Sequence, residues 1–222
     1  MNILISYQTQ SIPPPYAYAA TLSIALDNSK KVELDFQMEY LGREELNMEE
    51  IIAEGFSSDD DFSWKGTLGN NWHSTLTALP HWDLGNDPLE EHYIHISIDD
   101  EKEGFPVSGE DALLLVQELM QAGFEAAGKE APLTISLADE KGNVDSLLWE
   151  FAKRTVSINK QSFNQWTAFQ RVMSSIYSFD FQNMKFSSKK KALSINPGDG
   201  WYELGSKQFH SLQQQIDAAK SE

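Results

Sequence analysis

The chain has 222 residues, of which 41% are hydrophobic and 23% charged, and it contains no cysteine. This length and composition are typical of a globular protein that buries a core without disulfides or a structural metal. The lack of cysteine excludes a disulfide framework, a thiolate nucleophile, an iron–sulfur cluster and a Cys-ligated zinc site.

The formal net charge is −17 and is distributed unevenly along the chain. Residues 1–150 contain 29 acidic and 7 basic side chains, whereas residues 151–222 contain 5 acidic and 10 basic ones. Such an acidic field repels nucleic-acid phosphates and steers basic partners towards it. We therefore expect a basic protein partner and no nucleic acid. A homodimer is also expected as an option, because the basic C-terminal segment of a second copy would complement the acidic part.

The N-terminal stretch "MNILISYQTQSIPPPYAY" lacks the basic residues and the apolar run of a signal peptide. No window approaches the roughly 18 consecutive apolar residues of a membrane span. The sequence therefore predicts a soluble, cytoplasmic protein without membrane contact, and no motif in it implies a cofactor.

Alternating side chains in the first forty residues predict antiparallel strands. The first strand is expected over Ile3 to Thr9, followed by the stiff segment "PPP". The stretches "YAYAATLSIAL" and "KVELDFQMEYL" alternate between apolar and polar or small residues, which predicts a hairpin with one face in solvent. Glu33, Asp35 and Glu39 fall on the solvent face of that hairpin.

Asn47 and Glu50 form a capping-box pattern, which predicts a short helix. The following residues, 62–79, are compatible with two structures. Strands on both sides of a turn at "GN" are favoured slightly by the threonines and tryptophans. A helix over the second half is the alternative, because Trp72, Leu76 and Leu79 are spaced i, i+4 and i+7.

The remaining elements mix strands and helices. Strands are predicted in "HYIHISID", "LTISL", "ALSI" and "WYEL", and helices after the pair Ser108 and Asp111, from the pair Ser162 and Gln165, and from Ser206. Residues 144–158 are ambiguous between helix and strand.

No regular βαβ alternation and no internal repeat is found. The sequence thus predicts an α+β fold: an antiparallel sheet with about four to five helices packed on it, in one domain over residues 1–222. Weak boundaries are indicated near residues 128–132 and 158–162.

Two motif resemblances fail on physical grounds. "GFEAAGKE" resembles a phosphate-binding loop, but Glu130 stands where a magnesium-binding hydroxyl is needed and the segment ends a helix. "DDDFSWKG" resembles a calcium loop, but Trp64 occupies the position of the sharp turn that requires glycine.

The histidines suggest a second functional hypothesis, an alternative to protein–protein contact. The stretch "NNWHSTLTALPHWD" contains two of the five histidines, and a set of His73, His81, Asp83 and His95 would suit zinc or non-haem iron, or a general base. This hypothesis describes an enzyme or small-ligand-binding domain, similar to a metal-dependent hydrolase. His92, which alternates with isoleucines, is predicted to be a core residue.

The favoured hypothesis is a non-enzymatic protein that acts through protein–protein contact, as an inhibitor, an immunity protein or a subunit would. It rests on the acidic charge, on the lack of a catalytic motif, and on tryptophans that can anchor a partner. The predicted contact residues are Asp59, Asp60, Asp61, Trp64 and Trp82.

Overall fold

The chain divides into two compact units, Met1–Glu130 and Ala131–Glu222. The computed structural model describes residues 1–57, 60–88 and 92–222. Both units combine one antiparallel sheet with helices, so the predicted α+β fold is confirmed. The junction lies within the predicted weak boundary at residues 128–132, while the grouping of both units into one domain stays a prediction. Within the described ranges, no helix is long and apolar enough to cross a membrane.

The first unit contains a seven-stranded sheet in the order β4-β3-β2-β1-β6-β7-β5. Its strands are β1 (Asn2–Thr9), β2 (Tyr18–Leu26), β3 (Val32–Tyr40), β4 (Phe62–Leu68), β5 (Leu84–Gly85), β6 (His92–Ile98) and β7 (Lys102–Pro106). Its helices are α1 (Met48–Ala53), α2 (Trp72–Leu76) and α3 (Gly109–Ala126). The strands predicted from alternation in the first forty residues and in "HYIHISID" are thus present.

One face of this first sheet forms a core with α3. The alternating apolar residues of β1, β2, β3 and β6 point to this face and are buried. The helix α3 packs against β3, β4 and β6, and the rings of Phe36 and Phe124 lie 5.2 Å apart. Gly123 permits this approach, because a Cβ atom there would lie 2.6 Å from the Phe36 ring.

The second unit also has a seven-stranded sheet, in the order β11-β10-β9-β8-β13-β14-β12. Its strands are β8 (Leu133–Ala138), β9 (Val144–Glu150), β10 (Thr155–Ile158), β11 (Gln161–Phe163), β12 (Phe186–Ser187), β13 (Ser194–Asn196) and β14 (Trp201–Glu203). Helices α4 (Trp166–Tyr177) and α5 (Ser206–Ala219) pack against each other. Trp149 and Phe169 are fully buried in this unit.

The two units repeat one topology. In each, four strands form a meander, a helix follows the fourth strand, three further strands extend the sheet beyond the first strand, and a helix ends the unit. The helix after the fourth strand begins in both units with a buried tryptophan, Trp72 or Trp166, two residues after an asparagine. The expectation that the chain has no internal repeat is therefore wrong at the level of topology.

The structure also corrects or decides several elements. Residues 72–76 form α2, so the favoured strand over Trp72 to Ala78 is wrong and the helical alternative holds. Residues 144–158 form the two strands β9 and β10. Ser162 lies in β11, so the next helix starts only at Trp166.

The two predicted capping boxes have different outcomes. Around Asn47 and Glu50 both reciprocal hydrogen bonds form, at 2.9 and 3.1 Å, so that prediction is confirmed. Ser108 precedes α3 as predicted, but its hydroxyl donates to the Asp111 carboxylate at 2.5 Å and does not cap the backbone.

Candidate functional site

The face of the first sheet opposite to α3 is exposed, and we call it the open face. It consists of the outward-pointing residues of β1 to β4, β6 and β7. The strand registers align one row of them across the sheet: Lys65, Asp35, Ser23, Leu4, Ser97 and Glu103. Leu4, in the middle of this row, is 42% exposed. In this row a serine thus lies on each side of the exposed leucine, and charged side chains lie further out.

A first groove of about 320 Å³ lies on the open face. Leu4, Ser23 and Ala25 belong to its lining on the central strands β1 and β2. Carboxylates border it on both sides: Glu33 and Asp35 on β3, and Asp99 and Asp100 at the turn between β6 and β7. Lys65 on β4 also lines this groove.

The carboxylates of β3 already bind ammonium groups of the same chain. The Lys65 Nζ atom lies 3.1 Å from Asp35, and the Lys31 Nζ atom lies 2.5 Å from Glu33. The hydrogen bond from Lys31 lowers the pKa of the Glu33 carboxyl below its usual range. Both pairs lie at the surface, where water screens the attraction and an ion pair adds little to stability, so another cation can replace either lysine.

The turn between β6 and β7 fixes the opposite border of the first groove. Asp99 and Asp100 both have positive φ, at 51° and 58°. Such angles are uncommon outside glycine and are best tolerated by Asn and Asp. One Asp99 carboxylate oxygen accepts a hydrogen bond from the Asn2 backbone N–H at 2.6 Å, which ties the turn to the start of β1.

A second groove, of about 480 Å³, lies elsewhere on the open face. Its polar lining includes Thr21, Gln37, Glu39, Asp61 and Ser63. Asp61 accepts a hydrogen bond from the Tyr40 backbone N–H at 2.9 Å, so this carboxylate also has a role in joining β3 to the chain before β4.

The predicted acidic contact run has internal partners. The Asp60 carboxylate accepts hydrogen bonds from Ser57 and from Arg43, whose Nη1 atom lies 2.8 Å away. The Ser57 donors, followed by Arg43, lower the pKa of the Asp60 carboxyl. Asp59 lies outside the described residues. Asp60 and Asp61 thus stabilise the chain around their own loop.

The predicted tryptophan anchors lie elsewhere. Trp64 is half-buried and shares the α3 side of the sheet with Phe36, its neighbour across the strands. Its ring lies over Gly66, where a Cβ atom would come within 2.2 Å of it. Trp82 is half-buried, and its carbonyl accepts a hydrogen bond from Lys102 at 2.7 Å.

The four predicted metal ligands lie on separate elements. His73 is in α2, His81 ends a 3-10 turn, Asp83 follows it, and His95 is on β6. His95 lies on the open face opposite Ser6, with its ring 5.2 Å from that of Phe105. In the parts of the chain that the structure describes, no three His, Cys, Asp or Glu side chains form a group able to hold a metal. Because residues 72–76 are helical, His73 does not lie on a strand that could pair with the strand of His95.

His92 has a different environment from His95. It is half-buried on the α3 side of the sheet, and its Nδ1 atom lies 3.2 Å from the Tyr7 hydroxyl. Burial, followed by the neighbouring Tyr18, raises the pKa of Tyr7 far above its usual range. Tyr7 and His92 are thus hydrogen-bonded to each other within the fold.

The first groove was only partly visible in the sequence. Alternation places Glu33 and Asp35 on a solvent face, and it places Ser23 and Ala25 on one face of β2. It does not show that β1 and β6 bring Leu4 and Ser97 beside them, because that depends on strand order and register. Lys65 was missed for the same reason.

Comparison with protein-family models, with curated proteins and with solved structures gave no significant match. The chain is thus classed by its fold alone, as a tandem α+β protein with an open acidic sheet face. Its function has to follow from that geometry.

Proposed function

We propose that the protein acts through protein–protein contact and that the open face binds a basic partner. The observation that supports this best is the first groove: an exposed leucine and short side chains between carboxylates from β3 and from the turn after β6. A partner that buries Leu4 and brings its own cations to these carboxylates would complement the surface in shape and in charge.

The charge of the first unit favours such a partner at long range. This unit contains 25 acidic and 6 basic side chains, for a net charge of −19. Charge of one sign raises the rate at which oppositely charged proteins meet, and salt weakens this effect over a screening length of about 8 Å at physiological ionic strength. The proposed contact therefore combines steering by the whole unit with binding at the open face, as an inhibitor, an immunity protein or a subunit would need.

A labelled octalysine peptide tests this proposal by fluorescence anisotropy. The double variant E33Q/D35N removes two carboxylates from the open face, and E44Q/E49Q removes two exposed carboxylates of the same unit from the chain between β3 and β4. Both variants change the net charge equally. We expect E33Q/D35N to weaken binding at low salt about five- to tenfold, which corresponds to about 1–1.4 kcal/mol, and E44Q/E49Q to weaken it less than twofold.

Equal losses in the two double variants would mean that the peptide senses only the total charge, and they would contradict the proposal. A raised salt concentration should weaken binding to the unmodified protein, because the attraction is electrostatic. Binding that does not respond to salt would also contradict it.

A further inference from the structure

We infer that the first groove receives the long side chain of one arginine or lysine residue of the basic partner, with its methylene groups on Leu4 and its charged end at a bordering carboxylate. This inference rests on the proposed function and names the chemistry of its contact. Three features of the groove support it.

The first feature is the apolar floor. Leu4 is 42% exposed, and its neighbours in the row are Ser23 on β2 and Ser97 on β6. Ala25 follows Ser23 on the same face of β2. These short side chains leave the leucine open from above. Arginine and lysine bury their methylene groups on apolar surface while their charged ends stay polar, so they fit such a floor better than a compact charged group does.

The second feature is the distance between floor and border. Neighbouring strands lie about 4.8 Å apart, so Asp35, which is two strands from Leu4 in the same row, is about 10 Å from it across the sheet. A short cationic group above Leu4 would not reach this carboxylate. A long side chain lying along the row spans most of this distance, and the partner's backbone supplies the rest.

The third feature is Lys65, which already occupies one border. Its Nζ atom binds Asp35 at 3.1 Å, although the lysine side chain is 73% exposed. The pair shows that the Asp35 carboxylate can accept a cation, and both residues line the first groove. Lys65 therefore competes with a basic side chain of the partner, and its removal should strengthen binding.

The charges around the first groove leave room for a further cation. Its lining contains the four carboxylates Glu33, Asp35, Asp99 and Asp100 and one lysine, Lys65. The lining thus has a net charge of −3, or −2 when Lys31, which binds Glu33, is included, so a guanidinium or ammonium group entering it is attracted even while Lys65 remains in place.

A peptide with a single arginine, acetyl-Gly-Gly-Arg-Gly-Gly-amide, tests the inference by two-dimensional NMR of the whole chain. We expect millimolar binding, with shifts confined to amides around the first groove, including Leu4, Ser23, Ser97 and Asp99. The same peptide with norleucine in place of arginine has the stem without the charge and should cause no such shifts. Shifts spread over the acidic surface of the first unit would overturn the inference.

Two pairs of matched variants sharpen this test. Ser23→Phe fills the first groove, whereas Ser63→Phe adds the same ring on the same face outside it; only the former should abolish binding of the arginine peptide. Lys65→Met should tighten binding about two- to fivefold by removing the competitor, whereas Lys129→Met changes the net charge equally and should leave the affinity nearly unchanged. The Lys65 variant tests the groove even if Ser23→Phe disturbs the sheet.

The outcomes separate the inference from the proposed function. Equal effects within each matched pair would overturn the inference that the first groove receives a basic side chain. A difference in octalysine binding between E33Q/D35N and E44Q/E49Q would still support binding at the open face. If that contrast also vanished, the proposed function would fail as well.

Discussion

Arg43 joins three segments of the first unit. Its side chain is 9% exposed, its guanidinium lies 3.5 Å from the centre of the Tyr40 ring and 4.4 Å from that of Phe56, and it donates hydrogen bonds to the carbonyls of Pro15 and Ser57. Asp60 supplies the opposite charge at 2.8 Å. A cation so deeply buried needs this carboxylate, because an unpaired buried charge is strongly destabilising.

The substitution Asp60→Asn should therefore lower the free energy of unfolding by about 1–3 kcal/mol at pH 7. The pKa of Asp60 is lowered in the folded chain, so its stabilising contribution is complete above the unfolded-state pKa and is lost as the pH falls through the folded-state pKa. Denaturant unfolding at a series of pH values should show the difference between the two proteins shrinking below about pH 4.

Asp87→Asn, at an exposed position, is the matched control and should change stability little at any pH. A difference between the Asp60 variant and the original protein that stayed constant down to pH 2 would show that the carboxylate's charge does not hold Arg43.

At the scale of elements, strand β4 depends on a single glycine. The Trp64 ring folds back over Gly66, and a Cβ atom at residue 66 would lie 2.2 Å from a ring carbon. Gly66→Ala should therefore force the indole to move and cost about 1–3 kcal/mol of stability, the usual range for overpacking. Denaturant unfolding and the tryptophan emission spectrum would measure both effects.

A second substitution tests whether the clash with Trp64 is the cause. In the double variant Trp64→Leu with Gly66→Ala, the alanine should add little further loss, because the ring it would meet is gone. Gly85→Ala is the control for glycine replacement itself, since a Cβ atom there meets nothing closer than 3.9 Å. Additive losses at positions 64 and 66 would refute the steric explanation.

The elements differ in how well the sequence predicts them, for physical reasons. Strands such as β3 have one buried and one exposed face, so their side chains alternate and the pattern is plain. The helix α2 has only five residues, which is too short for a helical period to stand out, and its threonine favours a strand by propensity. Tertiary burial of Trp72 and Leu76 decides the conformation there.

At the scale of the whole molecule, each unit buries a tryptophan at the start of the helix that follows its fourth strand. Trp72 is fully buried in the first unit and Trp166 is 5% exposed in the second. Trp72→Ala should cost about 3–5 kcal/mol and should speed hydrogen exchange mainly in β1 to β4 and α3. Trp166→Ala should act mainly on β8 to β11 and α5. Hydrogen exchange with mass spectrometry would show this, and equal loss of protection in both units from either change would contradict separate cores.

The repeated topology could not be predicted from the sequence, because local side-chain patterns do not indicate the order of strands in a sheet. Alternation records only which face of a strand is buried, and many sequences satisfy it. The candidate site was hidden for a related reason: Leu4 lies beside Ser23, and Ser23 beside Asp35, only through the pairing of three strands.

The shared element order distinguishes buried positions, whose apolar character is constrained, from outward-facing positions, which can vary. Positions that point towards the helices must stay apolar in both units, whereas outward positions contribute little to either core. The first unit can therefore have a net charge of −19 while the second unit, with the same topology, has a net charge of +2. Outward-facing residues of one unit can therefore be substituted without a change in the buried residues that determine its fold. The charge of the open face can thus change while the topology stays the same.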